Sequence, residues 1–275
     1  EMYSVMIGRA ANVAEAVRWY LLAAEHGHAE AVLWLQQAAE RGDSEAQVVL
    51  AGMYATGRGV PQDDGEAVRW YRPVAEQGSA EAQHGLGVMY AEGRGVTQDE
   101  TEAVRWHRLA AEQGYATAQL ALGVMYERGR GVTQDEAEAL RWYRLVADQG
   151  GTGTMLGIRR IAEQGNAEAQ LVLGGMYFAG TGVAEDDGEA LRWYRQAAEQ
   201  GAAEATAGVH RMAEQGRAEA QHGLGVMYAE GLGVTQDAAE AVRWYRLAAE
   251  QGHADARFTL GSMYLDGRGV AQDTN

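Results

Sequence analysis

Residues 80–114 read AEAQHGLGVMYAEGRGVTQDETEAVRWHRLAAEQG, and the fold of the whole chain can be worked out from this stretch. Leu86, Met89 and Tyr90 recur at three- and four-residue spacings, which is typical of one apolar face of a helix. Gly93 follows them and predicts a left-handed cap that ends the helix. A second amphipathic segment begins after the GRGV loop, so the stretch predicts two helices, which we call helix A and helix B.

An aspartate begins each predicted helix B and has a glutamate three residues after it. A carboxylate at this position accepts hydrogen bonds from the free amides of the first turn, and the glutamate adds a charge that suits the helix dipole. The pattern therefore predicts an N-cap. The pairs are Asp63 and Glu66, Asp99 and Glu102, Asp135 and Glu138, Asp186 and Glu189, and Asp237 and Glu240.

The pair of helices repeats along the chain. The tryptophan of one helix B is followed by the tryptophan of the next after either 36 or 51 residues. The repeat unit therefore has 36 residues, and three of the steps are longer by 15 residues. Tryptophans at one regular helical position predict a packing role rather than a surface on which bases stack. They are Trp19, Trp70, Trp106, Trp142, Trp193 and Trp244.

Three segments of 15 residues account for the longer steps. In residues 201–217 the start AEAT resembles the AEAQ of helix A, and MAEQG resembles the AAEQG that ends helix B. Gly157 and Gly208 replace the tryptophan in two of these segments. Each segment predicts one helix where two are expected. Because one helix reverses the chain direction, the next helix A must run the other way or change layers, and we expect breaks or changes of curvature there.

These observations predict an all-α chain, an α-solenoid of antiparallel helix pairs interrupted by three single-helix units, in one domain over residues 1–275. Neither end resembles a polar capping repeat, so we expect a piece of a longer array or ends covered by partners. The parts are a partial repeat at 1–27, single-helix units at 28–42, 151–165 and 202–216, three regular repeats at 43–150, one repeat at 166–201, and one repeat plus a truncated repeat at 217–275.

Glycine recurs in the middle of helix A, where it destabilises a helix by about 1 kcal/mol relative to alanine. Its recurrence at one position predicts that a neighbouring helix approaches closely there. These glycines are Gly87, Gly123, Gly174, Gly225 and Gly261.

The repeat resembles the Sel1-like repeat, a relative of the tetratricopeptide repeat, and the likeness covers nearly the whole chain. Glu102 and Arg108 stand where the family often has lysine, and the single-helix units are larger departures. The resemblance implies a right-handed superhelix of helix pairs and a scaffold that holds protein complexes together. The residues that carry it are Leu86, Gly87, Tyr90, Gly93, Gly95, Val96, Asp99, Ala103, Trp106, Ala110, Ala111 and Gly114.

The composition argues against several function classes. The net charge is −16, and an acidic surface disfavours nucleic acid and anionic membranes, so basic or polar protein partners fit better. No apolar run approaches the roughly 20 residues that a membrane-spanning helix needs. The compartment stays open between the cytoplasm and, if a signal was removed, the periplasm or the cell exterior.

No pattern predicts catalysis, a metal site or a cofactor. The GRGV loops lack the lysine of a phosphate-binding loop and do not follow a strand. The seven histidines lack metal-binding spacings, and His84 and His222, which share a repeat position, are expected on the surface. We therefore expect no enzyme, and a cell-wall-related hydrolase is the least favoured alternative.

The helix A layer is expected to carry a partner-binding groove. Its positions one, five and eight after the glutamine of AEAQ vary, and they predict apolar anchors for an extended peptide or a helix, unless half of them pack between repeats. The predicted function is a non-catalytic scaffold for a peptide or protein partner, with self-association through uncapped ends as the alternative. The candidate residues are His84, Val88, Leu120, Val124, Glu127, Leu171, Phe178, His222, Val226, Phe258 and Leu265.

Overall fold

The computed structural model describes residues 15–151 and 153–269, and within these ranges the predicted all-α fold of helix pairs is confirmed. In the same ranges, no helix is both long enough and apolar enough to cross a membrane. The start of the partial repeat and the end of the truncated repeat lie outside the described residues. The helices are α1 (15–25), α2 (Ala29–Glu40), α3 (Ser44–Thr56), α4 (Asp64–Glu76), α5 (Ala80–Glu92), α6 (Glu100–Glu112), α7 (Ala116–Arg128), α8 (Glu136–Asp148), α9 (Met155–Glu163), α10 (Ala167–Ala179), α11 (Asp187–Glu199), α12 (Ala203–Glu214), α13 (Ala218–Glu230), α14 (Ala238–Glu250) and α15 (Ala254–Asp266).

The GRGV loop joins helix A to helix B and also packs against the repeat before it. Gly93 ends α5 with a φ of +69°, as predicted. Gly95 has a φ of +66° and lies so close to Asp64 that a Cβ atom would overlap the Asp64 carbonyl group. Arg94, between the two glycines, pairs with the Asp64 carboxylate at 2.6 Å. The loop therefore needs glycine for its backbone angles and for its close approach to α4.

The predicted N-caps of helix B are confirmed, and α6 shows how they work. The Oδ1 atom of Asp99 accepts hydrogen bonds from the N–H groups of Thr101 and Glu102 at 2.9 and 3.0 Å. The Glu102 carboxylate pairs with Arg105 at 3.1 Å. The N–H group of Asp99 donates to the carbonyl oxygen of Tyr90 at 3.0 Å. The cap thereby fastens the start of helix B to the end of helix A.

Contacts divide the chain into two compact units, and the boundary between Trp142 and Tyr143 falls inside α8. We describe them separately as unit 1 and unit 2. In unit 1, α3 packs beside α5 as well as against α4. In unit 2, α10 packs beside α12, and α11 packs beside α13. Alternate helices within a unit therefore stand side by side, as stacked helix pairs require.

A single helix lies in each of the three 15-residue segments: α2, α9 and α12. A single helix contacts the helix A that follows it in the way that a helix B does. In a regular repeat, Arg108 donates to the hydroxyl group of Tyr126 on the next helix A at 2.6 Å. In α12, a ring nitrogen of His210 lies 3.2 Å from the hydroxyl group of Tyr228, at the same separation of 18 residues. The repeat boundaries and the expected changes of curvature stay predictions.

The residue after each tryptophan acts as a wedge between helices, and we call it the wedge residue. The ring of Tyr194 on α11 lies between Gly174 of α10 and Gly208 of α12. A Cβ atom would come within 2.7 Å of this ring at Gly174 and within 2.8 Å at Gly208. The predicted close approach is confirmed at Gly174, and an aromatic side chain makes it. It is wrong at Gly261, where a Cβ atom would meet no atom within 4 Å.

The predicted packing role of the tryptophans is confirmed for most of them. Trp106, for example, is buried in a cluster with Leu86 and Met89 of α5. Trp70 is half-buried, and the prediction is wrong for Trp19, whose side chain is exposed. The other buried tryptophans are Trp142, Trp193 and Trp244.

A pair of histidines replaces one of the tyrosine wedges. His107, the wedge residue of α6, is 2% exposed, and its Nδ1 atom lies 3.3 Å from Nδ1 of His84 on α5. One ring must donate and the other accept, so two protonated rings cannot make this bond. Burial and, to a lesser extent, the nearby His84 lower the pKa of His107 to about 3. Burial also lowers the pKa of His84.

Replacing Gly174 with alanine is expected to lower the free energy of unfolding by about 1–3 kcal/mol, because the new methyl group overlaps the Tyr194 ring. Gly261→Ala is the matched control, since it adds the same group at the same repeat position where no atom lies within 4 Å. The control is expected to gain up to about 1 kcal/mol from helix propensity. Urea unfolding measures both variants, and an equal effect of the two would contradict the wedge.

His107→Tyr is expected to make the protein more resistant to acid. A histidine with a lowered pKa in the folded state favours folding above its unfolded pKa of about 6.5, and this stability is lost as the pH falls towards the folded pKa of about 3. The loss is at most ~1.4 kcal/mol for each pH unit. Urea unfolding at a series of pH values should show a shallower decline for the variant, whereas parallel curves would mean that His107 does not contribute.

Candidate partner-binding clefts

The residues predicted to form a groove differ widely in exposure. Glu127 is buried, whereas Phe258 and Leu265 on α15 are 79% and 90% exposed. Only the half-buried residues combine accessibility with a fixed position. They are His84, Val88, Leu120, Val124, Leu171, Phe178, His222 and Val226.

His84 and His222 are half-buried rather than freely exposed, because their rings pack on other rings. His84 contacts His107, as described above. His222 stacks on His253 with 4.6 Å between the ring centroids. Burial lowers the pKa of His222, and the neighbouring His253 adds to the effect. Both side chains therefore connect helices.

Phe178 and Val226 also contribute to packing between helices. The guanidinium group of Arg217 lies 4.8 Å from the ring centroid of Phe178. Arg217 is itself held by Glu185 at 2.8 Å and by Asp187. Val226 packs against the apolar cluster of α14. Phe178 and Val226 therefore pack between helices of neighbouring repeats rather than lining an open groove.

Leu171 lies in an open cleft of about 340 Å³ between α8, α10, α11 and α12, which we call the unit-2 cleft. The wedge residue Tyr194 lines the same cleft, so the ring that spaces these helices also contributes to its surface. The apolar and small lining residues are Ala147, Leu171, Val172, Gly175 and Met176, and the polar ones are Arg144, Asp148, Thr181, Tyr194, Glu204 and Arg211.

A second open cleft, of about 490 Å³, lies in unit 1 between α1, α3, the end of α4 and the start of α5. We call it the unit-1 cleft. Aliphatic side chains dominate its lining, and most of its polar residues are small or acidic. The aliphatic residues are Val17, Leu21, Val48, Val49 and Val74, and the polar ones are Arg18, Ser44, Glu45, Ser79 and Glu81.

The two clefts occupy equivalent places in the repeat pattern. Helices α1 and α8 are each the helix B before a single-helix unit, and α3 and α10 are each the helix A after it. Leu21 and Arg144 both stand two residues after a tryptophan, while Val48 and Leu171 both follow the glutamine of helix A. The single helix between them reverses the chain once. A helix B and a helix A therefore line the same cleft.

The clefts differ in how a glutamate at the start of helix A is neutralised. In unit 2, Arg144 pairs with Glu168 at 3.0 Å. In unit 1, Leu21 takes the place of Arg144, and the equivalent glutamate is Glu45. Burial, followed by the charges of two neighbouring carboxylates, raises the pKa of Glu45. Negative charge and apolar surface therefore lie together in the unit-1 cleft.

The prediction of a helix A groove missed the helices that complete both clefts. Helix α1 contributes Val17 and Leu21, α8 contributes Arg144, and α12 contributes Arg211. The reversal of the chain by a single helix was the signal that could have found them. The helix B before a single helix and the helix A after it line the same cleft.

Both clefts combine accessible aliphatic side chains with a few charged groups, which is the usual lining of a ligand-binding site. Within residues 15–151 and 153–269, no group of three or more histidine or acidic side chains is arranged to hold a metal ion.

Comparisons with known proteins agree with this architecture. The Sel1 repeat model matches residues 3–28, 29–43, 44–79, 80–115, 116–151, 167–201, 218–253 and 254–275. A solved structure of a protective antigen from uropathogenic Escherichia coli with an SLR fold is 33% identical, with a TM-score of 0.50, covering 97% of this chain and 68% of that chain. A Sel1 repeat protein from Oxalobacter formigenes is 31% identical, with a TM-score of 0.43, covering 90% of this chain and 75% of that chain. No curated protein matches the sequence.

The matched segments cover most of the chain, and the gaps between them contain α9 and α12. The segment that contains α2 matches the family model, whereas the segments that contain α9 and α12 do not. The chain belongs to the Sel1 repeat family.

Proposed function

We propose that this protein is a non-catalytic scaffold that binds a peptide or protein partner in the unit-2 cleft. Sel1 repeat proteins generally act as protein-interaction scaffolds and are typically non-catalytic. The observation that carries the proposal is an open cleft in which the half-buried Leu171 and Val172 share the lining with Arg144 and Arg211. Arginine is among the residues that most often dominate binding at protein interfaces.

The position of the cleft also favours this function. Three of its four helices, α10, α11 and α12, pack on one another, and the ion pair between Arg144 and Glu168 joins α8 to α10, so the lining residues are held in place before a partner arrives. Preorganised side chains lose less conformational entropy on binding. In unit 1, the half-buried residues Val88, Leu120 and Val124 remain separate candidates for partner contact.

Leu171→Arg is expected to weaken partner binding about tenfold or more, because it places a third cation among apolar side chains beside Arg144 and Arg211. Leu156→Arg is the matched control, since Leu156 lies on α9 outside the cleft and is 75% exposed. Affinity capture from an extract, with mass spectrometry, compares the proteins that each variant retains. Urea unfolding establishes that both variants fold, and a partner retained equally by both would place the binding site elsewhere.

Self-association is the second candidate function, because α15 exposes several large side chains. Phe258, Tyr264 and Leu265 are all exposed on this helix. Contiguous apolar surface of this kind marks interaction sites in soluble proteins. A second copy of the chain would then bury the exposed face of α15.

Phe258→Glu combined with Leu265→Glu is expected to keep the protein monomeric at concentrations where the unmodified chain forms larger species. Sedimentation velocity over a range of protein concentrations measures the mass. Leu33→Glu is the control, since it changes an exposed leucine on α2. A monomeric unmodified chain at every concentration would rule out self-association.

A further inference from the structure

We propose that the unit-1 cleft binds a protein segment that places an aliphatic side chain beside a lysine or arginine. This proposal concerns a second site, and it does not require the unit-2 cleft to bind anything. It rests on the shape of the cleft, on its charges and on a comparison between the two units.

The aliphatic part of the ligand follows from the lining. Val48 and Val74 are buried at the base of the packed helices, while Leu21 and Val49 are half-buried and remain accessible. The cleft measures about 490 Å³, within the usual range of about 300–1,000 Å³ for ligand sites. An aliphatic side chain that enters it gains about 25 cal/mol for each Å² of apolar surface that is removed from water.

The cationic part of the ligand follows from the acidic residues. Glu45 and Glu81 both line the cleft, and Asp43 lies close enough to act on Glu45. Burial, Asp43 and Glu81 together raise the pKa of Glu45, so its ionised form is held in an unfavourable environment. Arg18 lines the same cleft, so one cation stands against the carboxylates of Glu45 and Glu81. A ligand cation would balance the remaining negative charge.

The unit-2 cleft shows what happens when the chain supplies that charge itself. Glu168 stands at the repeat position of Glu45 and is paired with Arg144 at 3.0 Å. Leu21 occupies the position of Arg144 in unit 1. A third cleft carries Arg195 at the position of Arg144 and Glu219 at that of Glu168. The unit-1 cleft alone among these three lacks a cation at this position, so it is the one that should select a cation from outside.

The net charge of −16 also favours a basic ligand, because the field of the whole protein attracts cations. This general attraction does not depend on any one glutamate. The experiment must therefore separate it from recognition by Glu45 and Glu81.

The test measures binding of two fluorescein-labelled peptides, one of alternating leucine and lysine and one with glutamate in place of each lysine. The unmodified protein is expected to bind the lysine peptide about tenfold tighter in fluorescence anisotropy at physiological ionic strength. Leu21→Arg, which recreates the arrangement of Arg144 and Glu168, is expected to remove this preference. Leu33→Arg adds the same charge on α2 and should retain it. Loss of the preference in both variants, or in neither, would overturn the proposal.

A second pair of variants separates recognition from general attraction. Glu45→Gln with Glu81→Gln and Glu40→Gln with Glu76→Gln remove the same number of charges from unit 1, but only the first pair changes the cleft. The first is expected to lose the preference and the second to keep it, whereas equal losses would mean that the overall charge is responsible. Leu171→Arg should leave lysine-peptide binding unchanged. If it abolishes that binding, the peptide occupies the unit-2 cleft, and the inference fails while the proposed function stands.

Discussion

The fit of an aromatic ring between glycines on two neighbouring helices sets the spacing on which the rest of the structure depends. Tyr194 shows it most clearly, because its ring fills the space left by Gly174 on one side and Gly208 on the other. Each glycine destabilises its own helix by about 1 kcal/mol relative to alanine. Burying a large apolar side chain contributes about 1.5–3 kcal/mol, which offsets the roughly 2 kcal/mol that two glycines cost.

The single helices use the same contact and thereby change which helices share a surface. Gly157 and Gly208 stand where a helix B would have tryptophan, and each accepts the wedge residue of the preceding helix, Tyr143 or Tyr194. Towards the following helix A, the single helix then takes the place of a helix B. A single helix reverses the chain once, whereas a helix pair reverses it twice. The helix B before the single helix and the helix A after it therefore line the same cleft. The unit-1 and unit-2 clefts arise in this way, and so does a third cleft that α11 and Glu219 of α13 line.

Equivalent positions in the clefts carry different chemistry. Arg144 neutralises Glu168 within the chain, and its replacement by Leu21 enlarges the apolar surface and leaves Glu45 among other carboxylates. A repeat protein can vary a residue of this kind without loss of its fold, because the wedges, caps and loops that hold the helices are elsewhere. Recognition can therefore differ between units while the architecture stays the same.

The sequence by itself determined the local structure of this protein. Glycine after the last apolar residue of helix A and aspartate before helix B act within a few residues of the chain, so Gly93 and Asp99 could be placed correctly from the pattern. The tertiary structure decided which faces meet. That Leu171 shares a cleft with Arg144 and Arg211, and that His107 is buried against His84, depends on how separate helices pack on one another. A periodic pattern states that a helix has an apolar face, but the neighbour of that face follows only from how the helices stack.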